Sequence, residues 1–149
     1  LMSTELDTPV AQRLLRSTIP ARLAFVGLNG DPHVAPIWFL WRHEKLLLCG
    51  GAASFKVKAI REYPRVALSI DSETIPYESL RIRGSADIEI VDGIPVEYVE
   101  CAYRYYGDEK GQKWIDWVGT YTSQMARISV TPDWVQALDF RERFPQVFG

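Results

Sequence analysis

Histidine and cysteine are scarce in this chain of 149 residues, with two of each. Cys49 and Cys101 lie far apart, neither belongs to a Cys-x-x-Cys pair, and His33 and His43 do not cluster with them. That pattern argues against a structural zinc site, and it predicts buried free thiols rather than a disulfide. Two isolated histidines also offer little general-base capacity, which counts against hydrolytic chemistry. An excess of charge is missing too: the formal net charge is −2 with both signs scattered. There is no broad basic face for nucleic acid and no polybasic stretch for a lipid surface. The longest apolar runs, such as 34–41, are far shorter than a bilayer span, and Met2-Ser3-Thr4-Glu5 has no basic region followed by an apolar one. The expectation is a cytoplasmic protein with neither a nucleic-acid nor a membrane partner.

What is present suits one globular domain over residues 1–149, with 47% apolar and 24% charged residues. Thr8-Pro9 is a helix start, and Val10, Ala11, Leu14 and Leu15 form one apolar stripe of a helix running to about Ser17. Residues 22–28 read as a strand, Asn29-Gly30 as a tight hairpin turn and 33–41 as the returning strand. A third strand over 45–49 ends at Gly50-Gly51. The period then changes to helical. Ser54 caps a helix through Glu62 with Phe55, Ala59 and Ile60 as its buried side, and Pro64 stops it. Strands follow over 66–71 and 80–91, the second bent at Gly84; a helix runs to about Tyr106, and closing strands cover 125–130 and 135–140. Residues 107–122 suggest a short helix or a loop packed on a partner. Six or seven antiparallel strands with two or three inserted helices make the fold mainly β (α+β), a barrel with flanking helices rather than a doubly wound sheet.

The chemically odd segment is Ser54-Phe55-Lys56-Val57-Lys58. Two cations occupy the first turn of a helix whose free N–H groups already make a positive end, an arrangement that costs about 0.3–1 kcal/mol per charge at an exposed site. An anion between the lysines and the amides reverses that cost. The small residues from Gly50 to Ala53 let a ligand approach the backbone, and Pro36-Ile37-Trp38-Phe39 lies on the facing strand. Pro36 lacks a ladder donor and belongs at an edge or rim. Trp38 and Phe39 point to opposite faces, so Trp38 serves either core packing or a ligand contact. Together these features predict a flat aromatic ligand bearing a phosphate.

The same blocks resemble the flavin-binding split barrels similar to pyridoxamine 5′-phosphate oxidase. The likeness covers residues 21–91: Ala21-Arg22-Leu23-Ala24, the run from Gly30 to Phe39, the helix from Ser54 to Arg61 with Pro64-Arg65-Val66-Ala67, and Tyr77-Glu78-Ser79-Leu80-Arg81-Ile82-Arg83-Gly84. The order and spacing of the blocks carry it. The resemblance implies a split barrel in which the backbone of Pro36, Ile37 and Trp38 faces a flavin ring, with Cys49 and Gly50 beside it. Lys56 then binds the phosphate, with Lys58 helping at the Ser54–Phe55 helix start. It also implies a homodimer with the cofactor between subunits, so that Ser79 or Arg81 approaches from the partner chain. Ala35 and Leu40 stand where the true oxidases carry a phosphate-binding arginine and a substrate lysine, and their C-terminal tryptophan and arginine–histidine signature is missing from 127–149. Pyridoxamine phosphate is therefore not the expected substrate.

These readings converge on an FMN-dependent oxidoreductase moving hydride or electrons to or from an unidentified small organic molecule. Such chemistry resides in the cofactor and needs no dedicated acid or base. Two alternatives stand beside it. One is a reductase using coenzyme F420, whose acidic tail would follow Lys56, Lys58 and Arg61; the other is a non-enzymatic flavin- or haem-binding protein with His33 or His43 as an axial ligand. The aromatic cluster of Tyr103, Tyr105, Tyr106, Trp114 and Trp117 serves either the substrate pocket or an interface.

Overall fold

A computed structural model describes residues 2–149. Its elements, in chain order, are α1 (Met2–Leu6), α2 (Pro9–Arg16), β1 (Ala21–Val26), β2 (Pro32–Ile37), β3 (Leu40–Arg42), β4 (Lys45–Gly51), α3 (Phe55–Glu62), β5 (Arg65–Asp71), β6 (Glu78–Asp92), α4 (Val96–Tyr106), α5 (Asp108–Gly119), β7 (Gln124–Asp139), α6 (Phe140–Arg143) and α7 (Pro145–Phe148). The seven strands form one antiparallel sheet in the order β2-β1-β5-β6-β7-β4-β3.

That order dictates the shape. β2 and β3 are consecutive in the chain yet lie at opposite edges of the sheet. Only Trp38 and Phe39 separate them, so Ile37 and Leu40 are three Cα steps apart, at most about 11 Å. A flat sheet of seven strands cannot satisfy this. The sheet therefore curls until its edges face each other, and the seam between them stays without ladder hydrogen bonds: a split barrel.

Inward-facing Leu23, Leu46, Leu48, Leu68, Ile70 and Leu80 are nearly fully buried and fill the interior. The amphipathic α2 adds Val10, Ala11, Leu14 and Leu15 to the same core. Thr8 caps that helix by accepting from the Ala11 N–H, as its sequence position predicts.

Several expected boundaries change. The strand expected over 33–41 breaks at Trp38–Phe39, because the chain crosses the seam there. The strands expected over 125–130 and 135–140 are one strand, β7, which passes through Pro132 by a bulge opposite Arg83 and Gly84. Gly84 allows this bulge: a Cβ there would lie 2.2 Å from the Thr131 carbonyl oxygen. β4 ends at the glycine pair as expected, with Gly50 and Gly51 as its last two residues, paired with Ala126 and Met125. The first hairpin turns through five residues, 27–31, with only Gly30 at positive φ (89°). A two-residue type I′ turn at Asn29-Gly30 would need both central residues there. In α3 the buried side is Val57, Ala59 and Ile60, while Phe55 is half exposed. Residues 107–122 contain the twelve-residue α5. Helices outnumber the two or three expected, with four of eight residues or more and three short ones. No helix among the described residues is long and apolar enough to cross a membrane.

Candidate functional site

The seam crossing is where the sheet leaves backbone groups to be satisfied by something else, and α4 satisfies them. The Phe39 N–H donates to Tyr105 Oη at 3.5 Å, and Arg104 Nη1 donates to the Phe39 carbonyl at 3.2 Å. Arg104 Nη2 also reaches the carbonyls of Arg16 and Ser17 at the end of α2. Lower on the same helix, the buried Glu97 accepts from Arg127 Nε and Nη2, joining α4 to β7. The Arg127 guanidinium holds the Glu97 carboxyl below its usual range.

Between α4 and the seam lies a cavity of about 410 Å³. One wall is Pro36, Ile37, Trp38 and Cys49; the other is Tyr98, Cys101, Tyr106 and Trp114, and Pro20 completes the lining. Trp38 is held among rings: it stacks on Tyr105 at 5.4 Å and 13°, meets Tyr106 edge-on at 5.0 Å and lies 5.5 Å from Tyr98. No carboxylate, ammonium or guanidinium lines the cavity. Both cysteines are free, and burial pushes their thiols up to about 12, so they stay protonated at neutral pH. No group of three or more metal-ligating side chains occurs among the described residues.

Beyond Cys49, β4 ends at Gly51, and Ser54 then caps the start of α3. A Cβ on Gly50 would lie 3.9 Å from Ser54 Oγ and 3.7 Å from Val57 Cγ2, so the glycine keeps open the ground between strand and helix cap. Ser54 Oγ accepts from the Val57 N–H at 3.3 Å and the Ser54 carbonyl from the Lys58 N–H at 3.1 Å. The N–H groups of Phe55 and Lys56 have no acceptor among the described residues. Lys56 is partly buried, makes no ion pair among the described residues, and desolvation lowers its pKa. Lys58 is exposed.

The other expected residues fall elsewhere. The Phe55 ring turns toward the β1–β2 hairpin, 5.0 Å from His33 and 6.1 Å from Phe25, and anchors the helix start by packing. Ser79 is buried with its hydroxyl donating to Asp71. Arg81 is exposed on the outer sheet face, where a shallow hollow of about 280 Å³ also holds Arg22, Arg83 and Trp134. Within one chain neither Ser79 nor Arg81 lines the seam cavity. Neither histidine lines it either: His33 stacks on Phe25, and His43 is in the β3–β4 turn. Of the aromatic cluster, Tyr106 and Trp114 line the cavity, while Tyr103 bonds to Gln112 and Trp117 is exposed. Sequence reasoning missed Pro20, Tyr98 and Cys101. A signal for the last two existed, because Tyr98, Cys101 and Tyr105 recur at the spacing of one helical face.

A curled seven-stranded sheet with an open seam, a helical hairpin over it and an apolar cavity between defines a split β-barrel. The family model for pyridoxamine 5′-phosphate oxidase matches residues 8–139, and the chain belongs to that family. Among solved structures, a conserved hypothetical protein from Mycobacterium tuberculosis is similar with a TM-score of 0.69 at 19% identity, over 92% of this chain and 86% of that one. An F420 reductase is similar with a TM-score of 0.66 at 26% identity, over 84% of this chain and 94% of its own. The haem storage protein of Vibrio cholerae shares the fold at 14% identity, with a TM-score of 0.63 over 86% and 92% of the two chains. No curated protein matches the sequence.

Proposed function

We propose that this protein binds a phosphorylated flavin-type cofactor, FMN in the first reading, and acts as an oxidoreductase on a small organic substrate other than pyridoxamine phosphate. Lys56 carries the reading: a partly buried cation with no counter-charge among the described residues, beside two amide groups with no acceptor among them, suits a phosphate. The Pro36–Ile37–Trp38 wall of the cavity offers a planar ring an apolar and aromatic surface. Bound there, a flavin supplies the hydride and electron chemistry itself. The chain's own part is to grip the phosphate through Lys56, Lys58 and the helix start, to orient the ring against the Pro36–Ile37–Trp38 backbone with Cys49 and Gly50 beside it, and to keep charged groups and bulk water away.

Coenzyme F420 is the second reading, favoured by the 26% identity to an F420 reductase. Arg61, exposed in the last turn of α3, extends the cationic line that an acidic tail would follow. Haem has less support, because no histidine faces the cavity. A homodimer is part of the proposal. Arg22, Arg81 and Arg83 share one outer face with no carboxylate paired to any of them, and a second chain meeting this face could bring Ser79 or Arg81 to the cofactor. Light scattering should then report twice the chain mass.

The deciding experiment is an absorption spectrum of the purified protein with mass analysis of any released cofactor. A flavin or deazaflavin spectrum is expected, and the mass chooses between FMN and F420. A protein that retains neither, and binds neither on titration at micromolar concentration, overturns the proposal.

A further inference from the structure

The seam cavity contains a hydroxyl that is both oriented and uncommitted. Trp114 Nε1 donates to Tyr98 Oη at 3.0 Å, which fixes the phenol from the side of α5. Having accepted that bond, the hydroxyl donates its own proton to no protein group among the described residues. Both rings line the cavity, and Tyr98 lies 5.5 Å from the Trp38 ring. Cys49 and Cys101 are weak donors, the Tyr106 hydroxyl is half exposed, the Trp114 N–H is engaged on Tyr98, and the Trp38 indole N–H is a donor that gives up no proton in the neutral range.

We propose that Tyr98, oriented by Trp114, is the hydrogen-bond and proton donor to the substrate in this cavity, and that the substrate is an uncharged planar molecule presenting a carbonyl oxygen. The absence of any ionic side chain in the lining excludes a charged group there, because a buried unpaired charge is far more costly than a neutral acceptor. A carbonyl oxygen is the partner that a fixed O–H donor lacks. Burial raises the Tyr98 pKa, so the proton is in place across the neutral range.

Resting on the oxidoreductase reading, the same contact gives the proton its role. A reduced flavin-type cofactor, when bound, would supply the hydride to the carbonyl carbon, and the C=O π pair would pass to oxygen. That oxygen takes the Tyr98 proton. The phenolate left behind is held by the Trp114 N–H and recovers a proton from water. Tyr98 is thus a catalytic residue, and Trp114 a positioning residue acting through it.

The test uses the purified full-length chain, with and without FMN, and the probe pair 1-indanone and indane, which differ by the carbonyl oxygen. Infrared spectroscopy of bound 1-indanone should show its carbonyl stretch moved to lower frequency. Tyr98→Phe should lose that shift and about tenfold in 1-indanone affinity, the scale of one hydrogen bond, with indane and FMN affinities unchanged. Trp114→Phe should keep a broadened, smaller shift, because the donor remains but is no longer held. An unshifted band in the native protein, or equal 1-indanone affinity in Tyr98→Phe, overturns the assignment. So does mutual exclusion of FMN and 1-indanone, which would make Tyr98 a cofactor contact. If FMN fails to bind while the Tyr98-dependent shift persists, the flavin reading falls and the donor assignment stands.

Discussion

Two residues show how a single atom group decides an outcome here. Lys56 is the first. Its pKa is lowered by desolvation, so the ligand-free fold sheds this proton before an unfolded chain does. Stability of the free protein should therefore rise with pH through the lowered value, up to the ordinary lysine range. A phosphate restores the charge. FMN should accordingly raise the melting temperature more below that lowered pKa than above it, and calorimetry over a pH series checks the sign. Lys56→Ala with Lys58→Ala should weaken FMN binding by about 2 kcal/mol or more, roughly thirtyfold, since each charge-assisted hydrogen bond contributes about 1.5–3 kcal/mol. Unchanged affinity in that double variant would rule out the phosphate site. Gly84 is the second. Gly84→Ala sets a methyl against the Thr131 carbonyl, a backbone atom that cannot swing aside, and should cost about 2 kcal/mol in urea denaturation, within the usual range for overpacking.

At the scale of elements, the β3–β4 hairpin carries visible strain. It turns through His43 and Glu44 at φ 52° and 59°, both left-handed, the geometry of a two-residue type I′ turn built without glycine or asparagine. Each such residue costs about 1–2 kcal/mol relative to its preferred region. Replacing the pair with Asn-Gly should stabilise the protein by about 1 kcal/mol or more, read as a higher urea midpoint at an unchanged slope. The Glu97–Arg127 pair makes a prediction of a different kind. With its folded pKa held down, Glu97 contributes stability that is present above the ordinary carboxylate range and lost as pH falls through the lowered value. Glu97→Gln should therefore be less stable than the native protein near neutrality, with the gap closing in acid. Amide exchange in α4 locates the effect.

Elements also show where sequence reading stops. The cap at Ser54, the long strand β6 and the antiparallel pairing were legible, because helix caps and period-two alternation are local. The break at Trp38–Phe39 was not, since Val34 to Trp41 is an unbroken run of strand-compatible residues and what divides it is the meeting of two distant edges. The merger of two expected strands into β7 is similar: Pro132 looks like a terminator unless the bulge opposite Gly84 is known. The candidate site was half legible. Pro36, Ile37, Trp38 and Cys49 do line one cavity, but its other wall comes from α4 and α5, whose docking depends on Glu97–Arg127 and on the seam.

For the whole molecule, the open seam is the feature on which fold and site both depend. A closed barrel would pair β2 with β3 and leave no cavity; the open one needs another element to satisfy Phe39, and α4 does so while walling the cavity. Arg104 concentrates this role, because its guanidinium binds three carbonyls, from Arg16, Ser17 and Phe39, and so ties α2, the seam and α4 together. Arg104→Met keeps most of the side-chain length and removes all three bonds. Hydrogen bonds from a charged donor contribute about 1.5–3 kcal/mol each, but partly exposed carbonyls can turn to water, so a net loss of about 2–3 kcal/mol is expected. Amide exchange should locate that loss, with faster exchange at Phe39, Leu40 and along α4 while β5 and β6 remain protected. Uniform acceleration through the sheet would mean instead that the seam is not a separate unit. Cofactor affinity should fall in parallel, because Trp38 is held in place by the same helix that Arg104 anchors.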